Sequence, residues 1–263
     1  MVQEKGKYTV ITGASSGIGY ETAKAFAGRG KNLVIAARRT DNLEMLKKEI
    51  LKECPDLDVV IRSTDLSVPE NAYQFYEGLK DYGIETWVNN AGFGNYGSVG
   101  EQDLNKISMM LHLNIEALTI LSSLFVRDYK DVEGTQLINV SSAGGYTIVP
   151  TAATYCAAKF YVSTFTEGLA WELKETGAKM RAKVLVPAAT KTEFGMVANN
   201  AREYDYDKYF GTYHTSKEMA GFLLELYDSE KVVGLVDRES FRFRLADPLF
   251  PYAGNSAHNQ QRM

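Results

Sequence analysis

Short apolar runs rich in β-branched residues alternate with longer segments of helical period along most of this 263-residue chain. That alternation leaves few folds open. Strands are predicted at 8–12, 33–37, 58–61, 86–89, 136–140 and 182–186. Helices are predicted after Gly17, from about Asp41, and over 71–80, 103–129 and 153–175. A strand, a helix and a second strand in succession require a crossover, which makes neighbouring strands parallel. The run LVIAA at 33–37 is apolar on both alternating faces, as a strand covered by helices on both sides must be. The expected fold class is α/β, a doubly wound and mostly parallel sheet with helices on both faces. No repeat, low-complexity tract or Pro/Gly/Ser linker divides it, so one domain is expected over 1–263.

Composition narrows the partners. Hydrophobic residues make up 45% and charged residues 24%, an ordinary globular mixture with no case for disorder. A net charge of -4 without a basic run gives no means of recruiting a phosphate backbone, so nucleic acid is not an expected partner. The opening MVQEKGKYTV has no signal-peptide core, and no later stretch reads as long enough to span a bilayer, so no membrane association and a cytoplasmic location are expected. Cys54 and Cys156 lie too far apart to read as a metal-ligand pair, and both are expected to be free thiols, with no metal site.

In doubly wound sheets the ligand crevice lies outside the carboxyl ends of the strands. The first predicted strand ends in Thr12-Gly13-Ala14-Ser15-Ser16-Gly17-Ile18-Gly19, a tight turn that opens a helix. The N–H groups and dipole of that helix can meet a pyrophosphate, and the glycines let backbone and phosphate approach, which makes the sheet Rossmann-like. The spacing G-x-x-x-G-x-G differs from the common dinucleotide fingerprint, so by itself the turn also reads as a plain Gly-rich connection. The second strand ends Ala36-Ala37-Arg38-Arg39, with no acid where one would bind the ribose 2′-OH of NAD. Arg38, with Arg39 beside it, offers charge-assisted bonds to a 2′-phosphate and favours NADP; the alternative is a solvated charge pair at the next helix.

Ser142 and Tyr155 are 13 positions apart, and Lys159 follows Tyr155 at i+4 on the same helix face. A phenol is a poor acid-base group at neutral pH, but a nearby ammonium favours its ionised form and lets it exchange a proton. Taken alone, Tyr-x-x-x-Lys is a common surface pair.

It does not stand alone. Thr12-Gly13-x-x-x-Gly17-x-Gly19, Asn89-Asn90-Ala91-Gly92, Asn114, Ser142 and Tyr155-x-x-x-Lys159 occur in an order and spacing that resemble the short-chain dehydrogenase/reductase family, from about Tyr8 to Thr192. The resemblance implies an NADP(H)-dependent oxidoreductase that moves a hydride between nicotinamide and a carbonyl or alcohol. It implies that Ser142 holds the substrate oxygen, that Tyr155 is the general acid or base, and that Lys159 lowers the Tyr155 pKa and binds nicotinamide ribose. Asn114 matches an asparagine that supports a water-linked proton relay with the lysine. Gly13, Ser15, Ser16, Gly17, Ile18, Gly19, Arg38, Arg39, Asn89, Ala91 and Gly92 would form the cofactor site. Asp65 would contact adenine, or else serve as a helix N-cap. The segment from Pro187 to Thr192 resembles Pro-Gly-x-x-x-Thr, in which the threonine meets the nicotinamide carboxamide. Here Ala188 replaces the glycine, which requires a negative φ.

A lid over the substrate is expected near 192–215, where Phe194, Met196, Tyr204, Tyr206, Tyr209, Phe210 and Tyr213 could clasp a substrate or serve as core or interface. Lys191, Arg202 and Lys208 near it would suit an anionic substrate, though isolated surface cations are usually just solvated. The resemblance implies a homodimer or homotetramer built on the helices at 103–129 and 153–175. The stretch 238–263 departs from the family's Gly-rich closing segment and reads either as docking on a neighbouring subunit or as loose. Two other functions compete: a nucleotide-sugar epimerase or dehydratase, and a non-catalytic NADP-sensing protein that binds partners. Chain length and glycine spacing weigh against the first, and the presence of Ser142, Tyr155 and Lys159 against the second.

Overall fold

The computed structural model describes residues 7–254; the expectations for 1–6 and 255–263 lie outside the described residues. The strands are β1 (Lys7–Thr12), β2 (Asn32–Ala37), β3 (Val59–Ser63), β4 (Gly83–Asn89), β5 (Gln136–Val140), β6 (Arg181–Val186), β7 (Thr190–Lys191), β8 (His214–Thr215), β9 (Val233–Val236) and β10 (Phe243–Ala246). Eight form one sheet in the order β3-β2-β1-β4-β5-β6-β9-β10, parallel except for the last pair, and β7 with β8 forms a separate small pair. The helices are α1 (Gly17–Ala27), α2 (Thr40–Glu53), α3 (Pro69–Glu77), α4 (Leu104–Leu111), α5 (Leu118–Tyr129), α6 (Ala153–Glu175), α7 (Phe194–Asn199), α8 (Tyr206–Phe210) and α9 (Ser216–Asp228). This is the single-domain, doubly wound fold that the alternation predicts.

The two faces of the sheet carry two cores. Ile11, Leu33, Ile35, Val88 and Leu185 pack with Phe26, Leu46 and Leu223 of α1, α2 and α9. Val10, Val34, Trp87 and Leu137 pack with Phe75, Leu121, Phe125 and Leu173 of α3, α5 and α6. Neighbours along one strand alternate between these cores, so the strands are apolar throughout. Trp87 is fully buried among Phe75, Tyr76 and Phe125, and emptying that space by Trp87→Ala would cost about 3–5 kcal/mol. Because β1 lies between β2 and β4, the chain reverses its direction of winding there, and a crevice opens at the carboxyl ends of β1 and β4.

Two segments depart from the sequence expectation. The helix expected over 103–129 is interrupted at His112–Ala117 by a wider π turn. Asn114 lies inside that turn and grips the Phe93 peptide at both ends, accepting from its N–H at 3.1 Å and donating to its carbonyl at 2.9 Å. Such single-turn widenings are common at functional sites. The run Leu104–Tyr129 is also long and apolar enough, by length and composition, to cross a membrane, which corrects the reading that no stretch is. Its apolar side has a different cause: Leu121 and Phe125 are core residues under the sheet, while Lys106, Arg127 and Asp128 punctuate the run.

The closing segment docks on its own chain. After β10, the N–H groups of Leu249 and Phe250 donate to the Glu167 carboxylate at 2.6 and 2.8 Å, and Tyr252 stacks on Trp171 with ring centres 4.4 Å apart. Both α6 contacts were invisible in the sequence, because each joins residues about 80 positions apart.

Candidate active site

The turn after β1 is built around two oxygens of Thr12. Its hydroxyl accepts from the N–H groups of Asn90 and Ala91 at 3.0 and 3.1 Å, and its carbonyl accepts from the Asn90 amide at 3.0 Å. Gly13 has φ +68°, and a Cβ there would come within 2.8 Å of the Ala91 backbone. A side chain at Gly19 would collide with the Asn90 amide and the Gly13 carbonyl. The glycine spacing therefore serves two purposes: a left-handed turn at Gly13 and close packing at Gly19.

The turn opens onto a groove of about 490 Å³, within the usual size of ligand sites. Gly13, Ser15, Ser16, Gly17 and Ile18 line it together with Arg38, Arg39 and Asp65. Ala91, Gly92 and Thr192 also face it. A dinucleotide fits this donor set: a glycine turn with two serines at a helix N-terminus, and two arginines lining the same groove. The arginines are not equivalent. The Arg38 side chain is 61% exposed and lies 3.9 Å from the Asp65 carboxylate. Arg39 turns onto the glycine turn, donating to the Ser16 hydroxyl at 2.8 Å and to Ser15 at 3.3 Å, and pairs with Glu193 at 2.7 Å. Asp65 accepts from the Ser67 N–H and hydroxyl at 3.0 and 2.7 Å, holding the turn before α3, whose N-cap is Val68.

Asn89 takes the central-sheet place that the resemblance implies and does not line the groove. Its side chain points into the sheet, accepting from the Trp87 indole at 2.8 Å and donating to Ser122 and Asn139 at 3.0 Å. Alternation along β4 gives the groove to its neighbour Asn90, which the sequence reading did not single out. Pro187 likewise contributes its carbonyl, accepting from the Ala143 N–H at 2.7 Å and tying the end of β6 to the loop that carries Ser142. Ala188 is not among the described residues with positive φ, so the alanine is accommodated.

Beside the groove, Ser142, Tyr155 and Lys159 meet where β5 hands over to α6. Ser142 accepts from the Gly144 N–H at 3.1 Å and, beside the Tyr155 phenol, favours its ionised form. The Lys159 ammonium donates to the Val140 carbonyl at 2.8 Å, lies 5.9 Å from the centre of the Tyr155 ring, and is pushed down to about 8 by burial. Gly92 joins this group to the π turn: a Cβ on it would stand 3.0 Å from the Asn114 carboxamide oxygen and 3.7 Å from the lysine nitrogen. Burial pushes the Tyr155 phenol up, and only the Ser142 bond opposes it. The reason is steric, since Phe194 and Tyr96 cover the phenol with ring centres 5.4 and 5.8 Å away and leave Tyr155 only 6% exposed.

Phe194 begins the segment expected to be a lid. Tyr206 anchors it, accepting from the Gly195 N–H at 3.1 Å and donating to the Thr192 carbonyl at 3.2 Å; Tyr204, Phe210 and Tyr213 pack on Tyr206, and Tyr209 stacks on Tyr204. Most of these aromatics thus form a small core of their own, and Phe194 reaches Tyr155. Cys54 and Cys156 are free, and among the described residues no group of three or more His, Cys, Asp or Glu could hold a metal.

A family model described as short chain dehydrogenase matches residues 7–203. The chain belongs to that family. It is 32% identical over 191 residues to an uncharacterised oxidoreductase of Staphylococcus saprophyticus, covering 72% of this chain and 76% of the relative. A short-chain dehydrogenase from Sphingobium yanoikuyae, solved in complex with NADPH, matches with a TM-score of 0.79 at 28% identity over 87% of each chain. A bulky-bulky ketone specific alcohol dehydrogenase from Comamonas testosteroni matches with a TM-score of 0.74 at 26% identity, over 87% of this chain and 85% of that one. This short-chain dehydrogenase is therefore an oxidoreductase that uses a nicotinamide cofactor. Its groove and its Ser142-Tyr155-Lys159 cluster lie at the carboxyl ends of the strands, where a doubly wound sheet binds its ligands.

Proposed function

We propose that the protein is an NADP(H)-dependent oxidoreductase that interconverts a small-molecule carbonyl and its alcohol, with Tyr155 as general acid-base. The observation that carries this reading is the convergence of Ser142, Tyr155 and Lys159 beside a dinucleotide-sized groove whose glycine turn is clasped by Arg39. The bound cofactor supplies or accepts the hydride. Ser142 holds the substrate oxygen through its hydroxyl, and the Gly144 N–H fixes that hydroxyl's direction. Tyr155 gives its phenolic proton to that oxygen in reduction and takes it back in oxidation. Lys159, held by the Val140 carbonyl, stabilises the phenolate that forms and binds nicotinamide ribose. Asn114 keeps the turn at Phe93 in place and supports a proton path from the lysine to solvent.

Arg39 and Arg38 make NADP the preferred cofactor, and the NADPH-bound relative supports this. Gly13, Ser15, Ser16, Gly17, Ile18, Asp65, Ala91, Gly92 and Thr192 complete the cofactor site. Gly19, Asn89 and Pro187 support that site from behind it. The aromatic cover of Tyr96 and Phe194 suits an apolar substrate, and the ketone specificity of the Comamonas relative supports a ketone. Residues 192–215 are the lid, the active form is a homodimer or homotetramer, and the location is the cytoplasm. NADPH consumption across a panel of ketones, aldehydes, keto acids and sugars tests the reading. Turnover that needs a carbonyl and is lost in Tyr155→Phe supports it, and turnover at the wild-type rate in that variant overturns the assigned mechanism.

A further inference from the structure

Arg39 has its donors engaged by side chains of its own chain. Its two terminal nitrogens donate to the two Glu193 carboxylate oxygens at 3.1 and 2.7 Å, a fork-on-fork pair, and one of them also donates to Ser16 at 2.8 Å. Arg39 and Ser16 together hold the Glu193 carboxyl below its usual range. Both partners face the cofactor groove, beside the serines of the glycine turn. A carboxylate here occupies the guanidinium in the way a phosphate would, since both groups take the same planar pair of donors.

The next residue covers the acid-base group. Phe194 lies with its ring centre 5.4 Å from that of Tyr155 and 6.2 Å from that of Tyr96. The opposite end of α7 is tied by bonds outside the arginine cluster. Lys106 donates to the Val197 carbonyl at 2.8 Å and to the Asn200 side chain at 2.5 Å, and the Tyr96 N–H donates to the Ala198 carbonyl at 2.9 Å. Releasing Glu193 therefore removes the side-chain tie next to Phe194 at the start of α7, where Tyr206 still holds the Thr192 carbonyl and the Gly195 N–H, so the Phe194 side chain gains freedom to turn while the far end stays anchored.

We propose that Glu193 is a specificity-determining residue that stands in for the cofactor's 2′-phosphate on Arg39, so that this phosphate, by displacing Glu193, draws Phe194 away from Tyr155. This rests on the NADP reading of the groove. A 2′-phosphate carries more charge than one carboxylate and more acceptor oxygens, so it wins the guanidinium, and the two anions then repel. A ligand shifts a conformational equilibrium only by its difference in affinity for the two states. Here the difference is plain: Arg39 is fully available only when Glu193 has left. NAD, which lacks the phosphate, leaves the pair intact and the phenol covered. Discrimination between the cofactors thus acts on access to Tyr155 as well as on affinity.

The test uses hydrogen exchange of the 192–200 segment in the whole protein, with 2′,5′-ADP and 5′-ADP as probes and calorimetry to establish that each is bound. These fragments lack nicotinamide, so contacts of Thr192 with that ring do not enter. An exposed ion pair is a weak latch, so 2′,5′-ADP should speed exchange of this segment about two- to tenfold, and 5′-ADP should leave it unchanged. In Glu193→Gln, exchange should already be fast without ligand and insensitive to either probe, while 2′,5′-ADP binds more tightly than to the wild type. A merely structural role for Glu193 would raise exchange without changing the dependence on the 2′-phosphate, and that result overturns the proposal. Saturating 2′,5′-ADP that leaves wild-type exchange unchanged also overturns it, with the NADP reading intact. If 2′,5′-ADP binds no better than 5′-ADP, both readings fall together.

Discussion

The Lys159 ammonium is held by the carbonyl of Val140, the last residue of β5, at 2.8 Å rather than by the Tyr155 phenol. The lysine is therefore fixed by the sheet, and Tyr155 is free to exchange its proton without losing a structural bond to it. Tyr155→Phe removes only an oxygen, so NADPH binding should be retained while turnover falls by about 10²–10⁴. Lys159→Ala should weaken cofactor binding as well and move the pH profile of the residual activity upward. Paired calorimetry and initial rates separate the two, and equal loss of NADPH affinity in both variants would contradict the division of roles.

Arg39 and Arg38 should also separate. Arg39 is aimed at Ser15 and Ser16, whereas Arg38 is mostly exposed and 3.9 Å from Asp65. Arg39→Leu should cost NADPH roughly one to two decades of affinity and leave NADH nearly unchanged, since a charge-assisted contact is worth about 1.5–3 kcal/mol. Arg38→Leu should cost less. Dissociation constants showing the larger loss at Arg38 would reverse the assignment.

Much of this site was legible because it depends on local spacing. The glycine turn and Tyr-x-x-x-Lys each sit within eight residues, and backbone geometry carries their meaning. What was hidden involves distance or parity. The pairing of Arg39 with Glu193 spans 154 positions, and no local pattern marks it. Asn89 and Asn90 are indistinguishable by type, and which one faces the groove depends on the strand's register. The Tyr155 phenol is pushed up because Phe194 folds back over it, a contact set by the course of residues 187–194. The closing strands β9 (VGLV) and β10 (FRLA) escaped notice because a glycine interrupts one short apolar run and an arginine the other.

Assembly can be tested on the helices that the family pairs. Leu104 is 76% exposed at the start of α4, Met109 is exposed on the same helix, and Tyr161 stacks on Phe165 on the outer side of α6. Sedimentation at micromolar concentration should give a dimer or tetramer. A monomer would refute the expected assembly and leave these side chains as ordinary exposed surface.

Stability should rise with pH between about 8 and 10. Lys159 and Lys183 are both buried and both pushed down to about 8, from an ordinary value of 10.5. In that window the unfolded chain binds more protons than the folded one, so raising the pH favours the fold. The contribution is present above the unfolded value and is lost as pH falls through about 8. Tyr8 and Tyr20, pushed up to about 12, act in the opposite sense only above pH 10. Urea midpoints measured at intervals from pH 7 to 10 should climb, and a flat profile would mean that neither lysine titrates as its burial implies.

Glu167 should be the most costly polar residue to remove from α6. It is 2% exposed and accepts from three donors: the Tyr146 hydroxyl on one oxygen, and the N–H groups of Leu249 and Phe250 on the other. A buried carboxylate is tolerable when its lone pairs are satisfied, and its removal leaves the donors unpaired. Glu167→Ala should therefore destabilise the fold by roughly 2–5 kcal/mol. Glu167→Gln should cost far less. Its carbonyl oxygen can still accept both backbone N–H groups while its amide donates to the Tyr146 oxygen, so only the charge is lost. Removal of residues 249–263 should lie between the two, because Tyr146 keeps its partner. Urea unfolding of the three variants ranks them, and if Glu167→Gln is as unstable as Glu167→Ala, it is the charge rather than the pairing that α6 requires.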